Sequence, residues 1–432
     1  MSALVIQAER TWTGVGFEPN VQVAIGEDGR IEAVGALGEI ATRRLDGVAL
    51  LPGFINAHSH AFQRGLRGSG ESFAAGGGSF WSWREAMYAL VASLDAASLR
   101  ALCVQAFGEM RDAGITAVGE FHYLHHEREG DYSLDLVVLA AAAEVGIRIV
   151  LLNAYYAAGG IGKPLEPAQR RFATTSVDDY WTQMDRLGAG LAPATQSLGA
   201  VAHSIRAAGL DEIRELHAEA MRRGLPFHMH VEEQRREIED SVAAYGKAPM
   251  AAICEALGGP ANLTAVHCTH TARDDMARFL AAGGTVCVCP LTEANLGDGL
   301  PDLTLAHAAD GRLCLGTDSN ARLSPLEEMR WLEYGQRLRR EMRGVLPDAD
   351  GEVAPTLLAA ATTGGARALG LPAGRIARGC WADLVAVDLT APALTGIAPN
   401  RLLAAAIFGG GNEIVLGTFV GGRWRPTRGR PE

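Results

Sequence analysis

The order of apolar runs in this 432-residue chain predicts an α/β fold: a (β/α)8 barrel of the TIM type with a small β-sandwich built from the two ends. Three observations carry the prediction. β-rich apolar runs of four to eight residues recur along the middle of the chain. The stretches between them show helical spacing of apolar residues with charges opposite, as in Asp211–Arg223 and Pro325–Arg343. Both ends read instead as short strands divided by turns.

At the N-terminal end those strands are Ser2–Gln7, Gln22–Ile25 and Ile31–Val34, the last two joined across Gly26-Glu-Asp-Gly29. The barrel strands follow as Leu50–Ile55, Ala117–Phe121, Ile147–Asn153, Gly199–His203, Pro226–His230, Leu263–His267, Gly284–Val288 and Leu313–Asp318. Leu384–Val387, Ile414–Phe419 and Arg423-Trp-Arg425 complete the sandwich. The expected domains are therefore residues 1–49 with 376–432, and residues 50–375. An open doubly wound sheet is the alternative, but no Gly-x-Gly-x-x-Gly follows a strand to support it.

A hydrophobic content of 48% with 21% charged residues describes a well-packed globule, and no apolar run reaches the roughly 18 residues of a membrane span. The N-terminus lacks the basic and apolar regions of a secretory signal, so a cytoplasmic location is expected. A formal charge of −11 argues against nucleic acid or an anionic membrane as partner. It leaves room for a small anionic substrate met by local arginines. The seven cysteines sit mostly in apolar contexts and read as reduced, buried thiols. Cys287-x-Cys289 has no second pair at finger spacing. A homodimer is the common prior for this architecture.

The chemistry gathers where predicted strands end, which is where a barrel keeps its active site. His58-x-His60 closes the first strand, with alternate-residue spacing that puts both rings on one face. His230 closes the fifth, His267 the sixth and Asp318 the eighth. One such residue is ordinarily structural; five at four strand ends point to a metal site. Imidazoles with a carboxylate suit zinc best, with iron or manganese as alternatives, and a bound metal turns water into a nucleophile at neutral pH. His228 shares a strand face with His230, and Glu232 competes with Glu233, so spacing alone chooses neither. A carboxylic acid at Glu233 can shuttle a proton to a leaving nitrogen. Asp318 can hold metal with one oxygen and accept a proton with the other, while His267 orients the water.

Pro52-Gly-Phe-Ile-Asn-Ala-His-Ser-His60, His228-Met-His-Val-Glu-Glu233, Ala265-Val-His-Cys268 and Gly316-Thr-Asp-Ser319 together resemble the amidohydrolase superfamily in its mononuclear deaminase branch. The resemblance spans nearly the whole chain. It implies His58, His60, His230 and Asp318 as ligands of one metal, with Glu233, His267 and Asp318 catalytic. The fourth strand ends Ala200-Val-Ala-His-Ser204, without the lysine that bridges two metals in binuclear relatives. Ala57–Arg64, Ser79–Tyr88, Glu120–His125, Ala202–Arg206 and Leu315–Asn320 resemble more closely those members that hydrolyse N-formimino-L-glutamate to N-formyl-L-glutamate and ammonia in histidine breakdown. The Gly-rich Ala74–Gly78 and the acidic Asp348–Glu352 depart from them locally.

That likeness implies Arg206 on the α-carboxylate of a dianionic substrate, and Gln63, Arg84 and Tyr123 on the side-chain carboxylate. Arginine's planar fork suits carboxylate better than a lysine does. Without it, Arg84 reads as a solvated helix charge, and Trp81 and Trp83 as core or lid, with one of them expected in the core. Two other functions stay open: deamination of an aromatic base or nucleoside such as guanine, and a catalytically silent metal-stabilised scaffold. Intact Glu233, His267 and Asp318 argue against the scaffold.

Overall fold

The computed structural model describes residues 4–429 except 70, 72–77, 310 and 311. The glycine-rich residues 74–77, and Ser2 and Ala3 of the first predicted strand, lie outside the described residues.

Eight parallel strands form one sheet in sequential order: Phe54–Ser59, Ile115–His122, Arg148–Tyr155, Gln196–Ser204, Phe227–Val231, Leu263–His267, Thr285–Val288 and Leu313–Leu315. Helices such as Leu210–Arg223 and Pro325–Arg340 connect them. The second ends three residues short of its predicted limit because Glu341 turns left-handed at φ 53°. The sheet closes through main-chain bonds between its first and last members. Thr317 N and Asp318 N donate to His58 O at 2.9 and 3.0 Å, and His60 N donates to Asp318 O at 2.9 Å. The result is a TIM barrel whose seam runs through the residues of the predicted site.

The apolar run Leu50–Ile55, expected as one barrel strand, is divided. Arg43–Pro52 belongs to the terminal sheet, where Leu384–Asp388 pairs antiparallel with its residues 48–52. Gly53 N donates to Asp383 O at 2.9 Å, and the barrel begins at Phe54. Hydropathy runs unbroken across the junction because both sides are buried. The eighth strand is also shorter than Leu313–Asp318, since Gly316 N makes the last bond to Val288 O and from Thr317 the chain bonds across the seam.

The two ends of the chain build a separate mixed sheet of eight strands, including Leu4–Trp12, Gln22–Ile25, Ile31–Gly35, Val415–Val420 and Arg423–Pro426. It has its own core of Ile6, Val23, Ile25, Leu50, Leu384 and Phe419. Arg148 on the third barrel strand ties it down, donating Nε and Nη2 to Asp383 at 2.7 and 3.1 Å in a buried bidentate pair. Among the described residues no helix is long and apolar enough to cross a membrane.

Candidate metal centre and pocket

The barrel brings His58, His60, His230 and Asp318 together, all buried. Asp318 Oδ1 lies 3.2 Å from both His58 Nε2 and His60 Nε2, and His230 Nε2 lies 3.2 Å from His58 Nε2. Ligand atoms about 2.0 Å from a shared tetrahedral centre stand roughly 3.3 Å apart, so these separations fit an ion. The far ring nitrogens support the fit. His60 Nδ1 donates to Phe121 O at 2.7 Å and His230 Nδ1 to His203 O at 3.1 Å, which turns each Nε2 lone pair inward. Burial lowers the pKa of all three rings, to about 3 for His58, keeping them neutral as ligands must be. Burial works to raise the Asp318 pKa, but the surrounding imidazoles outweigh it and hold the carboxyl below its usual range.

Backbone strain marks the same strand ends. His267 and Asp318 adopt left-handed φ values of 75° and 46°, and Glu232 one of 53°. Such residues cost about 1–3 kcal/mol each and persist where surrounding structure fixes them.

The ambiguities left by spacing are settled by depth and by partners. His228 sits fully buried below His230, with Nε2 donating to Ala368 O at 2.7 Å. Glu232 is spent on backbone, its Oε1 accepting from Met250 N at 2.9 Å. Glu233 faces the cradle, with Oε1 3.8 Å from His267 Nε2 and Oε2 3.5 Å from Arg206 Nη2. Burial raises its pKa against the pull of His267 and Arg206. His267 stands 3.9 Å from Asp318 Oδ2 and 3.3 Å, through Nδ1, from Glu293 Oε1. Burial alone would lower its pKa; Glu233, Glu293 and Asp318 around it raise it to about 10.

A pocket opens beside the cradle, lined among others by Gln63, Arg84, Tyr123, Arg206 and Glu233. Gln63 Nε2 donates to Tyr123 Oη at 2.8 Å. Arg84 Nε donates to Tyr88 Oη at 2.6 Å, so this arginine faces the pocket and is no solvated helix charge. Arg206 Nε lies 3.0 Å from Glu237 Oε2. Neither Trp81 nor Trp83 is a core residue: both are half-buried, Trp83 on the pocket wall and Trp81 under the Arg236 guanidinium. His203, which spacing did not single out, also lines the pocket, 4.8 Å from the His230 ring by centroids. Its place at the fourth strand's end, matching that of His230, was the available signal.

A second buried group, His122, His125 and Asp135, lies on the second strand's loop and the following helix. Here His122 Nε2 lies 3.1 Å from Asp135 Oδ1, but both ring nitrogens of His125 face acceptors, Nδ1 at 2.8 Å from the same oxygen and Nε2 at 2.7 Å from Ala154 O. Asn153 Nδ2 and Gln183 Nε2 donate to the other oxygen at 3.0 and 3.1 Å. This cluster is held by protons. All seven cysteines are free, with Cys254 and Cys380 only half-buried, against the expectation of burial. Cys289 alone approaches the centre, its thiol within 4.8 Å of His267 and Asp318 ligand atoms.

Comparison with known proteins accords with this geometry. The sequence profile of the amidohydrolase family matches residues 49–425. The formimidoylglutamate deiminase of Pseudomonas aeruginosa is 39% identical, covering 100% of this chain and 96% of its own. The 5-methylthioadenosine/S-adenosylhomocysteine deaminase of Haloquadratum walsbyi is 29% identical over 82% of this chain and 74% of its own. A crystal structure of an amidohydrolase from Brucella melitensis superposes with a TM-score of 0.88 at 32% identity, covering 99% and 95% of the two chains. A closed parallel barrel, a three-histidine, one-aspartate cradle at its strand ends and a family match across most of the chain lead to one conclusion: this protein belongs to the amidohydrolase family and is a hydrolase acting on carbon–nitrogen bonds.

Proposed function

We propose that the protein hydrolyses N-formimino-L-glutamate to N-formyl-L-glutamate and ammonia, a step of histidine breakdown, using one zinc ion. The observation that carries this reading is the pairing of the ion cradle with two guanidiniums, Arg84 and Arg206, in one pocket. A purine pocket has no use for two fixed cations, whereas a small dianion needs them. The 39% identity to the Pseudomonas aeruginosa formimidoylglutamate deiminase supports the same substrate.

In this reading His58, His60, His230 and Asp318 hold the ion. When bound, a divalent ion lowers the pKa of water and polarises the bond under attack. Asp318 Oδ2 takes a proton from the attacking water as its oxygen adds to the formimino carbon. His267, whose Nε2 lies 3.9 Å from Asp318 Oδ2 and 3.8 Å from Glu233 Oε1, donates Nε2–H toward that oxygen. Glu233, whose burial favours the protonated form, gives its proton to the departing nitrogen. The proton held by Asp318 follows to the same nitrogen, the carbon–nitrogen bond breaks and ammonia leaves, and the added oxygen gives its remaining hydrogen to Glu233 as the carbon–oxygen double bond of the formyl group forms. Arg206 binds the α-carboxylate; Gln63, Arg84 and Tyr123 bind the other. The enzyme acts as a cytoplasmic homodimer, which sedimentation of the purified protein tests.

A coupled ammonia assay on zinc-loaded protein decides the substrate. Release from N-formimino-L-glutamate, with none from guanine or adenosine, is the expected result. Release from a purine alone refutes the proposal.

A further inference from the structure

Beside Arg84 the pocket wall contains a hydrogen-bond chain whose other members have no assigned role. Gln169 is fully buried. Its Oε1 accepts from Glu166 N at 2.8 Å, which fixes the amide's orientation and aims the NH2 group away. Its two N–H bonds reach two phenols, Tyr88 Oη at 3.1 Å and Tyr156 Oη at 3.0 Å. Both tyrosines line the pocket. The Tyr88 oxygen also accepts from Arg84 Nε at 2.6 Å.

A phenol oxygen has two lone pairs and one hydrogen. At Tyr88 both lone pairs are taken, by Arg84 and Gln169, so its hydrogen is left to donate. At Tyr156 the Gln169 bond fills one acceptor position, and burial pushes the phenol pKa up to about 12, so this hydroxyl also keeps its hydrogen. No acceptor for either hydrogen is found among the described residues. The space before them is the pocket, which Arg84 and Arg206 also line. Gly159 makes room for the arrangement: a Cβ there would meet Gln169 Oε1 at 2.7 Å and collide with Pro164 O.

We infer that Tyr88 and Tyr156 donate their hydroxyl hydrogens to a substrate carboxylate, and that Gln169 is the positioning residue that turns both toward it. The identity of that substrate rests on the formimino-glutamate reading; its being an anion rests on this donor geometry. Gln169 thus works as an acceptor filter. It occupies phenol lone pairs so that the pocket offers donors, which suits a carboxylate and disfavours neutral analogues.

Two measurements on the zinc-loaded enzyme test this. The first is binding of glutarate, a dicarboxylate without the reacting group, by calorimetry. The second is the steady-state split between KM and kcat for formimino-glutamate. Tyr88→Phe and Tyr156→Phe should each weaken glutarate binding and raise KM by roughly tenfold to a hundredfold, the loss of one hydrogen bond to a charged group, with kcat little changed. Gln169→Glu offers the phenols an internal acceptor and should weaken glutarate binding at least as much, with metal content and melting temperature retained. Failure of wild type to bind glutarate, or binding by both Phe variants within about twofold of wild type, overturns the inference. If wild type binds glutarate yet releases no ammonia from formimino-glutamate, the proposed activity falls, and the variants' glutarate affinities still decide the role of the phenols.

Discussion

The carboxylate of Asp318 serves two neighbourhoods at once: Oδ1 lies 3.2 Å from the Nε2 atoms of His58 and His60, while Oδ2 lies 3.9 Å from His267 Nε2. One oxygen is placed to hold an ion and the other to exchange a proton, which separates residues that bind metal from residues that do chemistry.

Glu233→Gln and His267→Asn should lower turnover by roughly 10²–10⁴-fold while the protein still retains its metal, because neither side chain belongs to the four-atom cradle. Elemental analysis beside steady-state rates checks this. Near-wild-type turnover in Glu233→Gln would remove it as the proton donor.

Arg206→Met should raise KM with little loss of kcat, since the carboxylate it meets is unchanged through the reaction. The same substitution leaves Glu237 without the guanidinium 3.0 Å away. A fall in kcat alone, with KM untouched, would contradict the assignment.

Asp135→Asn should cost about 3–5 kcal/mol at neutral pH, the scale for breaking a buried ion pair by removing one partner. Burial would raise the Asp135 pKa, but His125 and His122 outweigh it and hold the carboxyl low. With its folded pKa below its unfolded value, this group contributes stability above about pH 4 that is lost as pH falls through the folded value. Urea unfolding across pH should therefore show wild type and variant converging in acid. A gap that stayed constant would refute the linkage.

Gly316→Ala should loosen the metal. A Cβ at this position would meet His58 Cβ at 2.7 Å, Cys289 Sγ at 2.8 Å and His58 O at 2.9 Å. Overpacking of this kind typically costs about 1–3 kcal/mol, and the neighbour displaced is a cradle residue. Competition with a chelator should show weaker retention than in wild type.

The barrel was readable because its strands are buried on both faces and appear as apolar runs, several of them closed by a polar residue. The same burial hid the boundary at Gly53, where one apolar run serves two sheets. His228 and His230 share a face, and only depth in the barrel tells them apart. The phenol pair was invisible for another reason: Tyr88 comes from the connection after the first barrel strand, Tyr156 and Gln169 from the one after the third, and they meet only in space. Spacing finds ligands that sit at repeated points of a regular lattice; it does not find groups assembled from loops.

The barrel's seam consists of main-chain bonds between the peptides of His58 and His60 and those of Thr317 and Asp318. Three of the four side chains that converge on the ion position hang from these peptides, so the dimensions of the seat are inherited from sheet pairing. Gln63, Arg84, Tyr88, Tyr156 and Arg206 all stand on chain beyond the strand ends. Substrate preference can thus be rewritten in the connections without disturbing the ion seat, and redesign of this scaffold for another amidine should begin with residues 79–88 and 156–169.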